Sequence, residues 1–197
     1  MIQGVNEHIT ALATSTEAKK NILIDVWTGC GVLGLSVLLE NPWFFASAYL
    51  TEYYPETLSL AWENAQQYAP NLQPQPALIQ SNLVAFLEDE AYKNIFAQKN
   101  IILVANLPYI PDETFDTQTE DNVRKWEPRA AFVWGDDWLN FYREMFAQIF
   151  ETGLKMTMFL EMMTRQVDLL RTEFWEKIEF EEIKTFHFNI RIVKGII

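Results

Sequence analysis

Five consecutive apolar residues, Ile101-Ile102-Leu103-Val104-Ala105, run straight into Asn106-Leu107-Pro108-Tyr109. The run is too short for an ordinary helix, is rich in β-branched residues and is halted by a proline. It therefore reads as a strand buried on both faces, the kind found in parallel sheets. Parallel neighbours need crossover connections, usually helices. In such open α/β sheets a ligand sits beyond the carboxyl ends of the strands. Asn106 and Tyr109 fall at that end. The Asn106 amide offers a donor and an acceptor in fixed directions. Pro108 stiffens the turn and removes one backbone donor, which leaves nearby carbonyls free to accept from a ligand. A strand that merely stops at an Asn-Pro-type turn would carry the same residues, so these residues alone leave both readings open.

The rest of the chain alternates in the same manner. Residues 5–20 are expected to be helical. Asn21–Val26 reads as a first buried strand, running into Trp27-Thr28-Gly29-Cys30-Gly31 and then a helix-like stretch, Val32–Leu39. Strand, Gly-containing turn and helix together make a holder for a nucleotide-like ligand, because glycine lets backbone approach without a side chain intervening. A single Gly-x-Gly is weak evidence by itself. Phe44–Leu50 reads as a second strand that ends at Thr51-Glu52. Glu52 lies 21 positions after Gly31, close to the spacing of about 20 expected for a carboxylate that accepts from ribose hydroxyls; a solvated loop acid is the alternative. A helix is expected from Pro55 through Tyr68, and a short third strand at Ala77–Gln80. Asn82 follows that strand, placed either to bond a base edge or to cap the next helix. The polar stretch 112–125 lacks periodicity and suits a lid or substrate loop. Helices at 138–152 and 165–175 and strands at 155–161, 178–184 and 189–194 complete a three-layer α/β domain.

Composition narrows the function. At 197 residues with 49% apolar content, the chain is long enough for one domain with a sizeable core. The net charge of −12 argues against a broad phosphate-binding face and favours a protein or small-molecule substrate. A single cysteine excludes an internal disulfide and fits a reducing compartment. No apolar run reaches membrane-spanning length, and Met1–Glu7 lacks the build of a signal peptide. A cytoplasmic protein is expected, with no membrane partner. His8 and His187 have no ligand partners at metal-site spacing, so no metal is expected.

Four segments together resemble the class I S-adenosylmethionine-dependent methyltransferases, and more closely the family that methylates a glutamine side-chain nitrogen in peptide chain release factors. Asp25-Val26-Trp27-Thr28-Gly29-Cys30-Gly31 is similar to that family's Asp-x-Gly-Thr-Gly-(Ser/Cys)-Gly loop, except at Trp27. Glu52-Tyr53-Tyr54-Pro55 is similar to its acidic-x-x-Pro, and Asn106-Leu107-Pro108-Tyr109-Ile110-Pro111 to its Asn-Pro-Pro-Tyr-Ile-Pro, with Leu107 for the first proline. Glu127–Phe132, Gly135–Leu139 and Phe141-Tyr142-Arg143 resemble the segment that follows. The resemblance covers roughly 20–195. It implies a Rossmann-like, mostly parallel seven-stranded sheet with an antiparallel last strand. The first 20 residues would then be a helix or linker remnant ahead of a methyltransferase domain at 21–197, acting as a monomer.

The resemblance also implies roles. S-adenosyl-L-methionine would be held by Asp25, Thr28, Gly29, Cys30 and Gly31, by Glu52 and Tyr53, by Asn82 and Leu83, and by Asn106. Glu52 would take the ribose and Asn82 the adenine. Asn106, Pro108 and Tyr109 would be catalytic. The Asn106 side-chain oxygen and the Leu107 carbonyl would accept the two N–H bonds of the substrate amide, and Tyr109 would pack on it. The partner would be a release factor. The Asn-Leu-Pro-Tyr form also occurs in RNA adenine methylases, which keeps an RNA substrate as an alternative. A catalytically silent binding protein of the same fold is another.

Trp27, Trp134 and Trp138 each stand where the resembled family has glycine. The chain has 7 Gly and 7 Trp, against a usual glycine share of about 7%. Some bacterial genetic codes read UGA as glycine and others as tryptophan. A gene from a glycine-reading organism, translated under the tryptophan code, would give this pattern. The expectation is that several of these tryptophans are glycines in the natural protein, the alternative being a drifted relative.

Overall fold

The computed structural model describes residues 1–12, 20–108, 116, 125, 139–187 and 190–197. Within them, helix α1 (Ile2–Leu12) precedes β1 (Asn21–Val26), α2 (Val32–Glu40), β2 (Phe45–Glu52), α3 (Pro55–Gln67), β3 (Ala77–Gln80), α4 (Glu90–Phe96), β4 (Asn100–Ala105), α5 (Asn140–Thr152), β5 (Met156–Met163), α6 (Thr164–Phe174), β6 (Glu179–His187) and β7 (Ile190–Ile196). The strands form one sheet in the order β3-β2-β1-β4-β5-β7-β6. β1 pairs parallel with β2 and β4, β2 with β3, and β4 with β5. β7 alone runs against its neighbours β5 and β6, so the mostly parallel sheet with an antiparallel last strand is as the sequence led us to expect.

The apolar runs explain the centre of this sheet. All six residues of β1 are buried, as are five of the six in β4, and a strand covered on both faces cannot alternate polar with apolar. One face is covered by α4 and α5, whose Phe96, Phe141, Met145, Phe146 and Ile149 join Ile22, Ile24 and Leu103 in one cluster. The other face is covered by α1 and α2, with Val5, Ile9, Leu35 and Leu38 against Leu23, Ile102 and Phe159. In α5 the buried positions 141, 142, 145, 146 and 149 recur at helical spacing and form the core-facing stripe.

The strand ends differ in instructive ways. β2 runs two residues past the expected Leu50, to Glu52, because β3 pairs with it through Glu52 and Gln80. α1 covers Ile2–Leu12, and residues 13–19 of the expected first helix lie outside the described residues. α4 and the 3-10 turn Ala85–Glu88 carry too short a pattern to announce themselves in the sequence. Asp89 caps α4 by accepting from the Ala91 N–H at 2.8 Å.

Two tryptophans have a backbone suited to glycine. φ is 59° at Trp27 and 70° at Trp43, the left-handed region that costs an L residue roughly 1–2 kcal/mol. Trp43 is the third residue of a turn closed by the Phe44 N–H donating to the Asn41 carbonyl at 3.3 Å. Proline second and a positive φ third describe a type II turn, whose third position calls for glycine. Trp62 lies within α3 and Trp175 has φ −55°, so neither is strained. Trp134 and Trp138 lie outside the described residues.

Candidate active site

The register gathers the carboxyl ends of four strands along one edge. Val26 pairs with Thr51 on one side and with Ala105 on the other, and Glu52 pairs with Gln80. The residues that follow, Trp27-Thr28, Tyr53, Ser81-Asn82 and Asn106, therefore leave the sheet side by side. Between β1 and β4 the strand order reverses direction, the switch point at which open α/β sheets bind ligands.

Asp25 anchors the first loop. It is buried, and its Oδ2 accepts from the Thr28 hydroxyl at 2.5 Å and from the Gly34 N–H at 2.8 Å. A Cβ at residue 34 would lie 2.7 Å from that same oxygen, so only glycine lets the first turn of α2 come this close. Burial pushes the Asp25 carboxyl up to about 7; the Thr28 and Gly34 hydrogen bonds oppose the rise and the charge of Glu52 adds to it. Thr28 N–H also donates to the Thr51 carbonyl at 2.9 Å, which ties the loop to β2. Asn64 of α3 donates to the Cys30 carbonyl at 2.8 Å. That contact was not foreseen, since nothing local marks a mid-helix asparagine as a loop anchor.

Glu52 is buried beneath this loop. Its Oε2 accepts from the Gly29 N–H at 3.0 Å, and its Oε1 from the Tyr53 and Tyr54 N–H groups at 2.8 and 3.1 Å. Three backbone donors thus converge on one carboxylate, a charge-assisted arrangement. The indole of Trp27 stands over the same corner. It stacks on Tyr53 with ring centres 6.1 Å apart, meets Tyr54 edge-on at 6.2 Å and packs on Phe141 at 4.7 Å.

The turn after β3 is clamped from two sides. Thr51 Oγ1 donates to the Leu83 carbonyl at 3.0 Å. From α5, Glu144 Oε1 accepts from the Asn82 Nδ2 at 2.5 Å and Gln148 Oε1 accepts from the Val84 N–H at 3.0 Å. Glu144 and Gln148 lie some sixty residues away in sequence, so no local signal could have found them. At the end of β4, Asn106 is exposed while Leu107 and Pro108 are buried. Tyr109 lies outside the described residues. The structure thus brings Asp25, Thr28, Gly29, Cys30, Gly31, Glu52, Tyr53, Asn82, Leu83, Asn106, Leu107 and Pro108 to one edge. Among the described residues no three of His, Cys, Asp and Glu are placed to hold a metal, and no helix is long and apolar enough to cross a membrane.

Sheet order, crossover helices and a Gly-containing first loop together define the Rossmann-like methyltransferase fold. The chain superposes on the hMettl16 catalytic domain in complex with the MAT2A 3′UTR hairpin 6 with a TM-score of 0.64 at 14% identity, covering 99% of this chain and 68% of that one. It superposes on the magnesium protoporphyrin IX methyltransferase (ChlM) from Synechocystis PCC 6803 with bound SAM with a TM-score of 0.54 at 14% identity, covering 99% and 78%. No family model matches. By sequence the chain resembles the release factor glutamine methyltransferases. It is 33% identical to that of Caulobacter vibrioides over 127 residues, 64% of this chain and 39% of that protein. Against that of Bacillus subtilis (strain 168) the figures are 31% over 136 residues, 68% and 42%. The chain therefore spans about two-fifths of the length of the curated relatives it matches.

Proposed function

We propose that this chain transfers a methyl group from S-adenosyl-L-methionine to the side-chain amide nitrogen of a glutamine in a peptide chain release factor. The observation that carries the reading is the meeting, at one sheet edge, of the Asp25–Gly31 loop, Glu52, the Asn82-Leu83 turn and Asn106-Leu107-Pro108. The similarity to release factor glutamine methyltransferases supports the choice of substrate.

The donor and acceptor set fits a purine nucleoside. Glu52 supplies acceptors for ribose hydroxyls once its bond to the Gly29 N–H is exchanged. The Asn82-Leu83 turn supplies side-chain and backbone groups for a base. When bound, S-adenosylmethionine supplies an electrophilic methyl on a sulfonium. An amide nitrogen is a poor nucleophile, because its lone pair is delocalised into the carbonyl. The Asn106 side-chain oxygen and the Leu107 carbonyl accept its two N–H bonds and hold the nitrogen in line with the methyl, an orientation effect. The same two oxygens favour the positive charge that develops on nitrogen. S-adenosylmethionine, held by the Asp25–Gly31 loop, Glu52 and the Asn82-Leu83 turn, would supply the methyl and leave as its thioether, and the amide nitrogen would give up one proton to solvent.

Methyl-labelled cofactor, offered with a release factor and separately with RNA, tests this. Label on a release-factor glutamine is expected. Label on RNA with none on protein would replace the reading with its RNA alternative. Trp27 favours a second reading of the chain as written, a silent protein of methyltransferase fold, since its indole covers the corner where Glu52 would meet a ribose. Cofactor titration separates the two.

A further inference from the structure

Asn82 ends in an amide whose oxygen and nitrogen are nearly the same size, so its neighbours decide which one faces a ligand. Here the neighbour is a carboxylate. Asn82 Nδ2 donates to Glu144 Oε1 at 2.5 Å, and an ionised carboxylate can only accept. The amino end of Asn82 therefore faces α5, and Oδ1 is left to accept from a ligand at this sheet edge. The adjacent backbone is held just as firmly. Gln148, one helical turn after Glu144, accepts from the Val84 N–H at 3.0 Å, and the Thr51 hydroxyl donates to the Leu83 carbonyl at 3.0 Å. Leu83 is kept in the left-handed region at φ 52°. Its N–H has no acceptor among the described residues. The turn thus offers an acceptor, Asn82 Oδ1, followed by a donor, Leu83 N–H.

We infer that Glu144 is a positioning residue that locks the Asn82 amide with its oxygen toward the pocket and so selects a base that carries an exocyclic amino group. This rests on the cofactor reading above and deepens it. Adenine presents an amino donor at N6 beside an acceptor at N1, the complement of Asn82 Oδ1 and Leu83 N–H. Hypoxanthine presents an oxygen beside an N–H, which opposes both. A free amide could rotate to suit either base; one facing Glu144 cannot without setting its oxygen against the carboxylate.

The test compares S-adenosyl-L-homocysteine with S-inosyl-L-homocysteine by calorimetry, in the Trp27→Gly background so that the indole does not limit entry. With Glu144 in place, the adenine ligand should bind about tenfold or more tightly than the hypoxanthine one, as sites built around a substrate N–H discriminate strongly. Glu144→Leu should shrink that ratio at least threefold, on the order of 0.7 kcal/mol, and Glu144→Gln should shrink it less. Glu144 is exposed, and melting curves confirm that each variant folds. Adding Asn82→Asp to Glu144→Leu should restore the ratio, because a carboxylate accepts from either end. Tight binding of both ligands with a ratio indifferent to residue 144, or no restoration by Asn82→Asp, overturns the role of Glu144 alone. Binding of neither ligand overturns the cofactor reading together with it.

Discussion

Trp27→Gly is expected to weaken the empty protein and strengthen the liganded one. The indole contributes three aromatic contacts, at 4.7, 6.1 and 6.2 Å, each worth about 0.5–1.5 kcal/mol. Against them stands the left-handed backbone at φ 59°, a cost of roughly 1–2 kcal/mol that glycine does not bear, offset in part by the extra freedom glycine has when unfolded, about 0.5–1 kcal/mol. The balance is a loss of about 1–3 kcal/mol, or several degrees in Tm at about 2–4 °C per kcal/mol for a domain of this size. Ligand binding should move the other way. Overfilling a packed site costs about 1–3 kcal/mol, and each 1.4 kcal/mol is about tenfold in affinity. The glycine variant should therefore bind S-adenosylmethionine at least about tenfold more tightly. Differential scanning calorimetry with and without cofactor, alongside titration calorimetry, reads both effects. Trp27→Ala separates them, since alanine empties the same space but keeps the strain. It should bind nearly as well as glycine and melt lowest of the three. A glycine variant that melts lower and binds no better would show that the indole stands clear of the ligand, and the proposed placement of the pocket would fall.

Trp43→Gly should raise stability by about 1 kcal/mol in urea unfolding and leave cofactor affinity unchanged, because the indole is 73% exposed and its turn is remote from the site. The natural protein's mass spectrum should show glycine at positions 27 and 43 and tryptophan at 62 and 175, the division that the backbone angles make; tryptophan at 27 and 43 would refute recoding. Unfolded Asp25 loses its proton near 4 and folded Asp25 near 7. Between those values the folded state holds the extra proton, so this group's contribution falls as pH rises, by up to about 4 kcal/mol, and levels off above 7. Asp25→Asn should lack that decline, and parallel stability profiles for the two proteins between pH 5 and 8 would refute it. Asn106→Ala should abolish methyl transfer with little change in cofactor affinity, measured in the Trp27→Gly background if the parent is inactive; full turnover would remove Asn106 from the mechanism.

The strands were legible because burial on both faces favours unbroken apolar runs, as in Ile22–Ile24 and Ile101–Ala105, with Asp25 the one buried charge in β1. Their ends were legible for the same reason, since Thr28, Glu52 and Asn106 are where apolar character stops. What bonds to those ends was not. Glu52 reads from sequence as a carboxylate open to a ligand, yet it is buried on three backbone N–H groups. Donors of that kind have no sequence signature. Glu144, Gln148 and Asn64 act across the fold, on partners that only the packing of α5 and α3 brings near. Trp43 shows a more local case. The turn at Asn41-Pro42 was not part of the sequence reading, and the positive φ one residue later appears only when the chain closes back on Asn41.

The position of β7 governs the order in which this sheet can be completed during synthesis. β7 is the last of the seven strands in sequence, yet it lies between β5 and β6, pairing Ile196 with Thr157 on one side and with Glu179 on the other. Until it emerges from the ribosome, the edge of β5 has no strand to accept its N–H and C=O groups, and β6 has no neighbour at all. Open edges of that kind recruit other chains. A nascent or prematurely ended chain lacking β7 would carry a nearly complete ligand edge and still be sticky, so a strand that follows every site residue in the chain decides whether the rest stays in solution.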